Sequence, residues 1–92
     1  MLALYLTESD VNELLTMDIA LEAVEEVFKW QAAGAATNVP RSRLKLGDRA
    51  YLNYMVASAP GLGVMGLKTY TVVGVGPASF YVQLNDVETG QL

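Results

Sequence analysis

The apolar residues of this chain change their spacing at Pro40, and that change constrains the fold more than any other feature. Before it they recur with a helical period; after it they alternate. Over residues 17–33, Ala20, Val24 and Val27 fall on one stripe, with Gln31 at its end. Ile19, Ala23 and Trp30 widen the stripe, and Glu22, Glu25, Glu26 and Lys29 mark the wet face. Glu25 and Lys29 form a favourable i,i+4 pair. Thr16 is placed to cap this helix, and Asp18 lies in the first turn, where the helix dipole favours an acid. Gly34 suits the position just past the helix end, and Pro40 stops any continuation. A shorter helix is expected within TESDVNELLT, with Val11, Leu14 and Leu15 on one side. Thr7 and Asp10 there form an N-cap signature related to the capping box. Residues 2–6, LALYL, read as a short strand.

Beyond Pro40 the sequence RSRLKL alternates, so Arg41, Arg43 and Lys45 face one way and Ser42, Leu44 and Leu46 the other. GDR turns the chain, and AYLNYMV returns as the second strand of a hairpin. SAPGLG is a loop, VMGLKTYTVV a long strand, GVGP a turn and SFYVQL a further strand. NDVETG is rich in turn residues, and a further strand is expected beyond Leu92. Helices come first and strands follow. This predicts an α+β domain over residues 1–92, with two N-terminal helices packed on a largely antiparallel or mixed sheet.

Composition narrows the chemistry. The chain has no cysteine and no histidine. Within it, Ser-His-Asp and Cys-His nucleophile systems and most zinc sites are excluded, and no metal site is expected. No charged leader followed by an apolar run opens the chain, and no apolar run reaches the ~18 residues of a spanning helix, so a cytoplasmic setting without a membrane partner is expected. Apolar residues make up 52% and charged residues 17%. For so short a chain, this implies a dense core or apolar surface that awaits a partner. The net charge is −4, but residues 1–40 hold seven acids and one base, whereas residues 41–68 hold five bases and one acid. The second segment is a local positive field that can attract a small anion. The overall acidity argues against nucleic acid.

Three positions stand out. Arg41 and Arg43 each offer a planar fork suited to a carboxylate; the competing reading is an edge strand guarded by charge. Lys68 lies in a strand that is otherwise apolar or small, with Gly66 beside it on the same face leaving room for a ligand or another backbone. Burying its ammonium is costly unless it is paired, and such a lysine is suited to proton transfer; the competing reading is a snorkelling side chain. The G-x-G stretches at Gly61–Gly63 and Gly74–Gly76 do not open helices and are read as turns, not phosphate loops. Tyr51, Tyr54, Tyr70 and Tyr81 are read as sheet packing. DVETG lacks the ligand spacing of an EF-hand loop.

Taken in order, VPRSRLKL, YLNYMVAS, GLKTYT and FYVQLNDVETGQL, after a paired helical region, resemble the N-terminal part of the ornithine cyclodeaminase/mu-crystallin family. The resemblance covers essentially the whole chain. It implies an NAD(P)-dependent parent enzyme, with residues 1–92 as an incomplete substrate-binding and dimerisation domain. A Rossmann domain holding the nucleotide would follow Leu92, leaving no cofactor-binding residue here. Arg41 would hold the α-carboxylate of a small amino-acid substrate. Lys68 would be catalytic, touching the carboxylate or moving protons around an imine, and Met55 would line the pocket. Where Asn53 stands, some members carry Glu or His. The family's cofactor-contacting threonine has no match near Pro77–Ser79. Cyclodeaminase and alanine dehydrogenase-like activities are both compatible with these residues. The alternatives are a cyclic-imine (ketimine) reductase, a non-catalytic ligand-binding protein like mu-crystallin, or a stand-alone oligomerisation module. A homodimer is the expected assembly, and the 92 residues alone are expected to be inactive.

Overall fold

A computed structural model describes residues 2–92. Helix α1 spans Glu8–Leu14 and helix α2 Met17–Ala32. Thr7 starts α1 with a full capping box: its hydroxyl accepts from the Asp10 N–H, and the Asp10 carboxylate accepts from the Thr7 N–H at 2.9 Å. Thr16 caps α2 in the simpler way, its hydroxyl accepting from the Ile19 N–H at 3.3 Å. At the other end the Gly34 N–H donates to Gln31 and the Ala35 N–H to Trp30. This crossed pair needs a left-handed residue, and Gly34 supplies it at φ +76°. The Lys29–Glu25 pair forms at 3.6 Å on the wet face.

The remainder is a four-stranded sheet of order β1-β2-β3-β4: β1 Thr37–Leu46, β2 Ala50–Ala59, β3 Val64–Val73 and β4 Ser79–Asp86. All three pairings are antiparallel, so each strand meets its sequence neighbour through a hairpin. Gly47 turns the first hairpin at φ +70°, and a single 3₁₀ turn, Pro60–Leu62, bridges the second. β1 begins three residues before the expected Pro40, and the proline is accommodated by a bulge. Val39 pairs with Val56 and Ser42 with Tyr54, so Pro40 and Arg41 together oppose Met55. A proline lacks the N–H that a regular ladder position would require, and a bulge is where that loss is tolerated.

Two expectations are corrected. Leu2–Leu6 form no strand; Leu4 and Tyr5 stay exposed. A short apolar run becomes a strand only against a ladder, and this segment pairs with neither sheet edge. The helices also do not cover the sheet. Contacts between them are sparse, and of the apolar stripe on α2 only Ala20 and Trp30 are half-buried. A stripe specifies which side of a helix is apolar, not what lies against it. Among the described residues no apolar side chain is fully buried. The radius of gyration is 15.2 Å, against about 12 Å for a compact chain of this length.

Candidate carboxylate site on the sheet

Paired residues in an antiparallel ladder share a face, so the register sorts the side chains. One face carries the rows Lys45–Tyr51–Val72, Arg43–Asn53–Tyr70–Phe80 and Met55–Lys68–Val82, with Arg41 opposite Met55 at the bulge. The three expected site residues, Arg41, Met55 and Lys68, thus stand in one line across β1, β2 and β3. Neighbouring strands are about 4.8 Å apart, so the Arg41 and Lys68 backbones lie ~10 Å apart with Met55 between them. Two long side chains at that separation can converge on one small ligand.

The face is cationic. Arg41, Arg43, Lys45 and Lys68 all stand on it, and the strand acid that shares it, Asp86, sits at the far end of β4. Asp86 is already engaged, accepting from the N–H groups of Glu88 and Thr89, and these bonds hold its carboxyl below its ordinary value. Lys68 is half-buried and makes no hydrogen bond or ion pair among the described residues.

The two arginines differ in what they touch. Arg43 donates from Nε to Asn53 Oδ1 at 2.9 Å and lays its guanidinium over the Tyr51 ring, 4.1 Å from the centroid. It is committed to the sheet. Arg41 donates from Nη1 to the Tyr70 hydroxyl at 2.9 Å and is otherwise exposed. Its remaining N–H groups are available. The expectation of a shared arginine face holds, but only Arg41 has a free fork.

Asn53 and Tyr70 stand in this cluster as well; the resemblance left the contact at Asn53 open, and Tyr70 was read only as sheet packing. Asn53 is 0% exposed, its Oδ1 taken by Arg43 and its Nδ2 without a partner of good geometry. A buried amide donor left unmatched is costly, and such groups in a native structure call for a reason. Tyr70 packs its ring on Phe80, centroids 4.8 Å apart and planes 24° from parallel, so the sheet-packing expectation holds for its ring. Its hydroxyl does more. The hydrogen bond from Arg41 is the main cause that pulls its pKa below the ordinary 10.0; burial opposes the shift, and the arginine charges and Asn53 add smaller pulls. The signal for Tyr70 was present, since it lies two residues from Lys68 and a strand repeats its face every two residues.

The room beside Lys68 is partly used. A Cβ added at Gly66 would stand 3.4 Å from Leu84 Cδ2, so the β4 leucine leans over the glycine. The G-x-G stretches behave as turns: Gly61–Gly63 leads into β3, and Gly74–Gly76 joins β3 to β4. Neither opens a helix, so neither forms a phosphate loop at a helix N-terminus. The opposite sheet face holds a shallow groove of about 390 Å³ that includes Val39, Val56, Met65 and Leu67. No described helix is long and apolar enough to cross a membrane.

No protein-family model matches this sequence, and neither does any curated protein. Among solved structures, the chain is similar to a probable ornithine cyclodeaminase from Bordetella pertussis Tohama I. The TM-score is 0.81 and the identity 28%, over 88% of this chain. The chain corresponds to 25% of that protein's length. The resemblance read from the four motifs is therefore borne out, and so is the α+β class.

Proposed function

We propose that this chain is the substrate-binding and dimerisation part of an NAD(P)-dependent enzyme like the ornithine cyclodeaminases, acting on a small amino acid. One observation carries the proposal: Arg41 holds a free guanidinium edge on the same open face as Lys68 and Met55, and the strand acid of that face, Asp86, is engaged at the far end of β4. An amino acid brings the missing anion. Arg41 binds its carboxylate through two parallel charge-assisted hydrogen bonds. Lys68, across Met55, either adds a donor to the carboxylate or exchanges a proton at the substrate nitrogen. Met55 supplies a soft apolar floor for the carbon chain. The nucleotide of such an enzyme would depend on residues other than those described. The opposite apolar face would pair with a second copy.

Arg41→Lys in the full-length protein tests the reading. The variant keeps the charge and loses the fork. Amino-acid binding is expected to weaken by ~2–3 kcal/mol, the worth of hydrogen bonds to a charged group. Equal affinity for variant and wild type would return Arg41 to the role of a charge guarding a sheet edge.

A further inference from the structure

The Arg41–Tyr70 bond joins β1 to β3 and crosses the middle strand between Asn53 and Met55, because Arg41 opposes Met55 and Tyr70 opposes Asn53. We infer that Tyr70 is a positioning residue for Arg41, fixing which edge of the guanidinium receives the substrate carboxylate. The inference rests on the carboxylate reading of Arg41 above. A guanidinium can bind a carboxylate end-on, through Nη1 and Nη2, or side-on, through Nε and Nη2. Tyr70 takes Nη1. The side-on edge then keeps both of its N–H groups free, and it becomes the binding edge.

The rest of the cluster holds Tyr70 in place for this task. Its ring is stacked on Phe80, which fixes the direction of the hydroxyl. Below the strap, Asn53 is locked by Arg43, which makes its oxygen the accepting end and leaves the buried Nδ2 as a donor. The hydroxyl oxygen of Tyr70 keeps a second lone pair beside the Arg41 bond, and the Asn53 side chain is among the groups that lower its pKa. Tyr70 thereby lowers the cost of ordering Arg41. A flexible arginine that is already aimed loses less freedom on binding than a free one.

The test uses the full-length protein with L-alanine and L-ornithine as probes. Affinity is measured by calorimetry, and the Arg41 Nε–H signal by ¹⁵N NMR. Tyr70→Phe keeps the ring and its stack on Phe80, so an unchanged backbone amide spectrum elsewhere certifies the fold. The expected result is that this variant binds about tenfold more weakly. In wild type the Arg41 Nε–H signal shifts on binding, because that edge receives the carboxylate. Tyr70→Phe binding within twofold of wild type, beside a weakened Arg41→Lys, overturns the inference alone. A tenfold loss without the Nε–H shift in wild type overturns the side-on assignment. Full affinity in Arg41→Lys, or no binding of either probe by wild type, overturns the carboxylate reading and this inference with it.

Discussion

Arg41 and Arg43 are two residues apart, carry the same side chain and share one sheet face, yet their surroundings give them different work. Arg43 is spent on Asn53 and Tyr51, whereas Arg41 touches only the Tyr70 hydroxyl. Alternation placed both on one side of the strand. It could not separate them, because the difference lies in residues that two other strands bring alongside. Lys68 is the clearest case of a residue legible from sequence: a cation in an apolar strand is conspicuous, and it does lie on the Arg41 face. Its role is tested by Lys68→Met in the full-length protein, which keeps the stem and removes the ammonium. If the ammonium exchanges a proton with substrate, the maximal rate falls ~10²–10⁴-fold, the usual worth of a positioned acid or base. A rate within twofold of wild type would make Lys68 a snorkelling side chain.

The helices show how far local chemistry reaches. Thr7, Asp10, Thr16 and Gly34 were legible as caps, and each makes the bond its residue type allows. The capping box also carries a pH dependence with a definite sign. The backbone N–H of Thr7, and secondly its hydroxyl, hold the Asp10 carboxyl below its ordinary 3.8. A carboxyl lowered in the folded state stabilises that state above its unfolded value and stops doing so as pH falls through the lower, folded one. The order of α1 is therefore expected to be complete near neutrality and to decline below about pH 4. Following the Asp10 carboxyl carbon and the α1 amide shifts by NMR through an acid titration checks this; an Asp10 midpoint at or above the ordinary value contradicts it. Strands were less sharply bounded than helices. β1 runs through Pro40 because a bulge absorbs it, and a bulge depends on the partner strand. Residues 2–6 are a short apolar run of the kind a buried strand uses and form none, for lack of a partner.

Taken whole, the molecule exposes more surface than its size requires. The accessible area is 7514 Å², where a compact monomer of this size exposes about 5,200 Å². The excess is apolar in character: Leu44, Leu46, Tyr54, Val73 and Tyr81 are exposed on the sheet face opposite Arg41, and Leu21 and Phe28 on α2. Apolar patches of this extent are unusual on a monomer. The excess, ~2,300 Å² on one chain by that comparison, is more than the roughly 800 Å² that each partner buries in a standard interface. Self-association at micromolar concentration is the expected outcome, with sheet faces paired about a two-fold axis. Sedimentation velocity showing monomer alone at those concentrations would refute it. Leu44→Lys and Tyr54→Lys, which place cations on that face and leave Arg41 untouched, should shift any dimer towards monomer.

What the sequence determined by itself is what local chemistry determines. A period of 3.6 residues changing to 2 at Pro40 sets two helices before a sheet. Threonines and a glycine mark helix ends, and hairpin-length connections make every strand pair with its neighbour. Two-residue alternation then places Arg41 and Arg43 on one face of β1, while the common face of Arg41, Met55 and Lys68 follows from the register. Only the tertiary structure decided the matters that depend on register between strands distant in sequence. It set Tyr70 under Arg41, Arg43 against Asn53 and Leu84 over Gly66, and it left the helices off the sheet. The physical reason is the same in each case. Backbone propensity and capping act within a few residues, whereas a guanidinium's free edge or a buried amide's missing partner is defined by side chains that only the folded sheet brings within hydrogen-bonding distance.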